Sequence, residues 1–169
     1  ERDYQISLPR WLQIEFSKLV QREAEAGGGE IDSLSIHRLF ETRYLATRSP
    51  WTLHSYDLHR DENGVHAQIS FGEEPDLNRL SGNGLGAVEA VAAALEQAFA
   101  VTLAVEAYDE FALGEGTSAN AMACIRVLVD GQVCSAAALA EDTTLATLQA
   151  LLSVLGQKLP APVATAEAG

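Results

Sequence analysis

Two dipeptides, Asn63-Gly64 and Asp130-Gly131, restrict what this chain can fold into more than anything else in it. Each interrupts a stretch whose apolar residues recur at every second position. Such pairs are the strongest short signal for a two-residue hairpin turn, because both central residues of a type I′ turn need φ > 0. With Asn63-Gly64 at the centre, Glu62 faces Val65, Asp61 faces His66, and the pairing runs outward to Tyr56 with Phe71. One face then carries Tyr56, Leu58, Ala67, Ile69 and Phe71. The other carries Asp57, His59, Asp61, His66, Gln68 and Ser70, so the hairpin has one wet face. In the second hairpin Val129 faces Gln132. Ala123, Ile125, Val127, Val129, Cys134, Ala136 and Ala138 share one face, and Met122, Cys124, Arg126, Leu128, Val133, Ser135 and Leu139 share the other. Cys124 and Cys134 therefore point to opposite sides and cannot bond within the hairpin unless a bulge intervenes.

Before Pro50 the period is helical. Ser7-Leu8-Pro9 offers an N-cap with proline in the first turn, Leu12, Phe16, Leu19 and Val20 form a stripe, and Gly27-Gly28-Gly29 stops it. Asp32 caps a second helix through Leu39, Phe40, Tyr44 and Leu45. Two helices with such narrow apolar faces need another surface to pack on. After the first hairpin, residues 75–81 do not alternate as a strand, and the stretch 81–91, SGNGLGAVEAV, reads as a glycine-rich loop opening a helix over 86–99. Leu85, Val88, Ala92, Leu95 and Phe99 form the stripe of that helix, with Val91 and Ala98 widening it. Val101, Leu103, Val105 and Ala107 then alternate as a strand. Asp142 caps a last helix with Leu145, Leu148, Leu151, Leu152 and Leu155, and residues 160–169 form a disordered tail.

The expected fold is α+β: two helical linker elements (1–48), then a domain (49–159) of duplicated ββα type with antiparallel hairpins packed on helices. Both of its helices are rich in Ala and Leu, and a partner subunit is the expected cover for what the domain leaves bare.

A formal charge of −13 argues against nucleic acid and anionic membranes as partners. The 169 residues contain no apolar run of membrane-spanning length. Two cysteines make neither a disulfide framework nor a zinc site, and point to a reducing cytosol and a cytoplasmic protein. The chain opens without Met, straight into patterned sequence, and so reads as a piece of a longer protein.

The spacing of Gly82, Gly84 and Gly86 is G-x-G-x-G, not the G-x-G-x-x-G of a dinucleotide site, and the Gly-Lys-Ser/Thr of a phosphate loop is absent. Free N–H groups at a helix start still suit an anion, and a carboxylate qualifies; a plain connector is the alternative. His59 and His66 lie near Asp57 and Asp61, but a solvated face accounts for them without a metal. No nucleophile–base set or paired carboxylate makes a catalytic constellation.

Leu8-Pro9-Arg10, Leu12-Gln13, Glu15-Phe16-Ser17, Val20-Gln21, Phe40-Glu41 and Tyr44-Leu45 resemble the linker that follows the catalytic barrel in 2-isopropylmalate synthases. Asn83 with its flanking glycines, Tyr108 to Ala112, the 116–121 loop and the 146–150 run resemble that family's C-terminal regulatory domain. The resemblance implies that 49–159 is a regulatory and dimerisation domain, α+β, that binds L-leucine at a homodimer interface and feeds inhibition back to a barrel condensing acetyl-CoA with 2-oxoisovalerate. The barrel and its divalent metal would lie outside this chain, which is then expected to be non-catalytic and to need no cofactor of its own. Carried over by position, Asn83, Gly84, Gly86 and Ala87 would hold the effector's polar end, and Val105, Tyr108 and Ala112 its side chain. Leu85 stands where proline is common in the family. The neighbouring alternative is the isoleucine-binding domain of a citramalate synthase; the other is a dimerisation module without an effector.

Overall fold

The computed structural model describes residues 8–45, 50–113 and 120–159. The Ser7 cap, most of the 116–121 loop and the 160–169 tail fall outside the described residues.

Helix α1 spans Arg10–Ala26. Pro9 sits just before its first turn rather than in it, extended, with its carbonyl accepting from the Leu12 and Gln13 amides at 3.0 Å each. The helix stops at Gly27, and Gly28 and Gly29 follow with φ of +105° and +116°. Asp32 caps α2 (Ser33–Phe40) by accepting from the Ser35 amide at 2.8 Å, and α2 runs into a π-helical turn over Glu41–Leu45.

Two antiparallel three-stranded sheets follow, each leading into a helix. The first holds β1 (Leu53–Asp61), β2 (Gly64–Phe71) and β3 (Asn78–Gly84), then α3 (Ala87–Phe99). The second holds β4 (Leu103–Ala112), β5 (Ala121–Val129) and β6 (Gln132–Ala140), then α4 (Thr143–Lys158), capped by Asp142. Each unit is therefore βββα. In the first unit the two-residue turn joins strands one and two; in the second it joins strands two and three.

The β5–β6 register is the expected one, with Val129 opposite Gln132 and positive φ at both Asp130 (50°) and Gly131 (84°). The β1–β2 register differs. Asp61 pairs with Gly64, not His66, and Tyr56 with Ile69, not Phe71. Glu62 and Asn63 are thus the turn residues, and Gly64, at φ +122°, opens β2. The slip is two residues, and side chains alternate with period two, so each residue keeps its expected face, although Ser70 on the wet face is buried beside Ser55.

Two further readings are corrected. Residues 78–84 form a strand, β3, where a loop was expected. Its inner face, Asn78, Leu80, Gly82 and Gly84, holds a single apolar side chain, so no apolar alternation shows. Leu85, expected in the helix stripe, precedes α3 and is 83% exposed.

The main core lies where the inner sheet faces meet α3 and α4, and includes Trp51, Ile69, Phe71, Val91, Leu95, Ile125, Val127, Leu148 and Leu151. Trp51 stacks on Phe71 with centroids 5.5 Å apart. A second core sits on the outer face of the second sheet. There Met122, Cys124 and Ala137 receive Leu12 and Phe16 of α1, Phe40 of α2 and Tyr44. Cys124 and Cys134 belong to different cores, both buried and both free.

Candidate functional site

Gly82 and Gly84 share the inner face of β3, and α3 crosses directly over them. A Cβ at Gly82 would lie 2.5 Å from the Ala90 carbonyl oxygen and 2.7 Å from the Ala94 nitrogen. At Gly84 it would lie 2.6 Å from the Ala90 nitrogen. These neighbours are backbone, so the alternate glycines set how closely strand and helix approach. They also fix the position of the α3 N-terminus. Gly86 is its N-cap, extended, with no side-chain cap, and its carbonyl accepts from the Ala90 amide at 2.9 Å. The first-turn amides, Ala87 among them, have no acceptor within the helix. Glu89 folds back over this end, its Oε1 standing where a Gly86 Cβ would come within 2.6 Å. Arg60 donates to the Leu85 carbonyl at 3.2 Å and holds the strand–helix junction.

Beside that helix end runs an open cleft of about 580 Å³ between α3 and β4. Val88, Glu89, Ala92 and Glu96 line one wall; Leu103, Val105, Glu106, Ala107 and Tyr108 are on the other. Tyr108 is 45% exposed in this chain. In a regular strand Val105 and Tyr108, three apart, would point to opposite faces. A β-bulge at Glu106 intervenes: Val105 pairs with Val127, Ala107 with Arg126 and Tyr108 with Ile125. Val105 and Tyr108 therefore share the helix side, while Ala107, expected on the same face as Val105, pairs opposite Arg126 in register with the other face and still borders the cleft. The walls carry three carboxylates and no Lys or Arg. Glu96 is partly engaged, accepting from the Leu103 amide at 2.8 Å.

Of the seven expected site residues, Val105 and Tyr108 line this cleft, and Gly86 and Ala87 begin the helix whose next two residues line it. Gly84 lies behind that helix. Ala112 is farther along β4, on the same face as Tyr108, paired with Ala121. Asn83 lies on the opposite face of β3 from its glycine neighbours, where its Oδ1 meets His66 Nδ1 at 2.5 Å. The other His66 nitrogen meets Asp61 at 2.9 Å. With an acceptor at each nitrogen the ring favours its charged form. The bond to Asn83 and then that to Asp61 raise its pKa above the usual value. The sequence reading missed Val88, Ala92 and Leu103 as cleft residues because they lie in the stripes that also build the core.

On the far side of β4, helix α1 is held by polar contacts. The Glu15 carboxylate accepts from Arg126 at 2.7 Å, from Ser135 at 2.9 Å and from the Tyr44 hydroxyl at 2.9 Å. Burial alone would raise its pKa, but these bonds outweigh burial and hold it below the ordinary carboxylate value. Trp11 covers the Arg126 guanidinium at 4.9 Å and donates to Asp109 at 2.9 Å.

A family model described as the LeuA allosteric (dimerisation) domain matches residues 30–159. The chain belongs to that family. It is 48% identical over 158 residues to a 2-isopropylmalate synthase of Alcanivorax borkumensis, covering 93% of this chain and 28% of that protein. A 2-isopropylmalate synthase of Pseudomonas fluorescens is 37% identical over 98% of this chain and 30% of its own length. One of Azotobacter vinelandii is 36% identical over 94% and 28%. This LeuA-type chain thus spans less than a third of the length of these relatives. Among its described residues no helix is long and apolar enough to cross a membrane. Nor do three His, Cys, Asp or Glu side chains come together among them as a metal ion requires.

Proposed function

We propose that this chain is the effector-binding and dimerising part of a 2-isopropylmalate synthase, and that L-leucine binds in the α3–β4 cleft to impose feedback inhibition. The observation that carries the reading is the shared placement of Val105 and Tyr108 beside the α3 N-terminus. The first-turn amides at Ala87 and beyond take the α-carboxylate. The Glu89 and Glu106 carboxylates favour the ammonium, and Val88, Ala92, Val105 and Tyr108 receive the isobutyl group. A small zwitterion carries no net charge, so the chain's negative field does not repel it. Gly84 acts from behind by setting the helix position, Asn83 through its bond to His66, and Ala112 by lining the outer end of β4. The open side of the cleft, where Tyr108 is half exposed, is closed by a second copy of the chain. The condensation belongs to the part of the relatives that this chain does not cover. The described donor set does not fit a divalent ion, and none enters the reading.

Calorimetry of the 169-residue chain with leucine, isoleucine and valine tests it. Leucine should bind tightest, and Tyr108→Ala should weaken it by about tenfold, from roughly 1.4 kcal/mol of lost contact. A preference for isoleucine would move the chain to the citramalate-synthase branch. A dimer that binds none of the three would leave it a dimerisation module.

A further inference from the structure

We propose that occupancy of the α3–β4 cleft is coupled to the docking of helix α1 through a polar strap made of Trp11, Glu15, Asp109 and Arg126. The proposal rests on the reading of the cleft as the effector site and names how that site is regulated. The bulge at Glu106 divides β4 between two duties. Val105 and Tyr108 face the cleft, while the adjoining Ala107 and Asp109 pair with Arg126 and Cys124 on the linker side. A ligand that displaces Tyr108 therefore moves the peptide shared with Asp109, which holds the Trp11 indole at 2.9 Å. Arg126, one strand over and opposite Ala107, is held by Glu15 at 2.7 Å and covered by Trp11 at 4.9 Å. These contacts join residues about a hundred positions apart in sequence.

Their chemistry makes them sensitive. Hydrogen bonds of 2.7–2.9 Å weaken steeply once donor and acceptor separate beyond about 3.5 Å, so a strand shift below 1 Å is enough to break them. The apolar contacts of Phe16, Phe40 and Tyr44 on Met122, Cys124 and Ala137 are not directional and tolerate the same shift. A direction-dependent strap beside a forgiving apolar seat gives α1 two arrangements on one surface, which two sites can bias in common.

The test is amide hydrogen exchange over residues 10–26 of the 169-residue chain, with and without leucine, alongside calorimetric affinity. Leucine should change α1 exchange about fivefold or more, the lower range of typical coupling. Trp11→Phe, which keeps the ring but removes its donor, and Asp109→Ala should still bind leucine but abolish that response. By reciprocity their affinity should shift by the same factor. Asp109→Asn retains an acceptor for the indole and should restore the response, which a merely structural role would not require. Leucine binding with α1 exchange unchanged, or an undiminished response in Trp11→Phe, overturns the coupling and leaves the effector reading standing. If no amino acid binds, the effector reading fails, and the reverse arm judges the coupling. Exchange over residues 103–108 must then differ between wild type and Trp11→Phe, and equal rates overturn it.

Discussion

The substitution Gly82→Ala isolates the close approach that positions the α3 N-terminus. A new Cβ would meet the Ala90 oxygen at 2.5 Å, the Ala94 nitrogen at 2.7 Å and the Ala94 Cβ at 2.9 Å. Ordinary contact begins near 3.4 Å, so the helix must retreat by roughly 0.9 Å. No side chain can swing aside, because two of the three neighbours are backbone atoms. The displaced helix carries Val88, Ala90, Val91, Ala92, Ala94 and Leu95, all buried, and each loses dispersion contact as it lifts. Overpacking costs about 1–3 kcal/mol, and a backbone clash belongs at the upper end. Replacing glycine also restricts the unfolded chain, which returns about 0.4–1 kcal/mol. The net loss is about 2 kcal/mol, or roughly 4–8 °C in Tm for a chain of this size. Urea unfolding followed by circular dichroism measures it. Gly84→Ala meets the Ala90 nitrogen at 2.6 Å and pushes the same helix the same way. The double variant should therefore lose less than the two single losses combined. Gly27→Ala, whose Cβ would meet only the Glu23 oxygen at 3.4 Å, is the control and should stay within about 0.5 kcal/mol. A Gly82→Ala protein as stable as wild type, or strict additivity with Gly84→Ala, would refute the argument that the glycines exist for this contact.

Three further outcomes are expected. Glu15 has a depressed pKa in the folded state, so its contribution to stability is fully present above the ordinary carboxylate value and is lost as pH falls through the folded one. Glu15→Gln should flatten the acid side of the stability–pH curve, and Glu15→Ala, which leaves Arg126 half-buried without its partner, should cost about 1–3 kcal/mol at pH 7; both are read by chemical denaturation. His66 has a raised pKa, so any stabilisation from its bonds is present at low pH and fades as pH rises through the folded value. In an NMR titration its midpoint should fall in Asn83→Ala, which removes the larger of the two bonds that raise it. Cys124, pushed up to about 12 by burial and then by Asp109, should resist iodoacetamide in the native protein and react only in denaturant, as followed by mass spectrometry.

What could be read in advance depended on whether side chains or their absence carried the information. The β5–β6 hairpin was legible down to its register, because Asp130-Gly131 supplies the two positive φ values and both flanks alternate apolar residues without a break. Asn63-Gly64 carries the stronger dipeptide yet does not form the centre of its turn. Asp61 competes for the same corner by accepting from the Asn63 amide at 2.8 Å, which draws the turn back to Glu62-Asn63. The faces survived because the slip was even. β3 was illegible for the opposite reason: two of its inner positions, Gly82 and Gly84, carry no side chains, so a strand built for contact resembled a flexible loop. The Glu106 bulge also left no local signature, since one unpaired residue in a strand is settled by the partner strand's register.

That last omission bears on the site more than on the fold. Val105 and Tyr108 come to the expected site list from family resemblance, and a regular β4 would have set them on opposite faces. The bulge reconciles the spacing with one cleft, and by the same step turns Ala107 and Asp109 toward Arg126 and Trp11. On the proposed reading, a single extra residue both assembles the effector wall and aims the strap at α1. Binding and transmission would then be two faces of one strand. A rigid helix end is the condition for this to work, because a wall can register a ligand only against something that does not move. Gly82 and Gly84, by seating α3 backbone against backbone, supply that fixed reference.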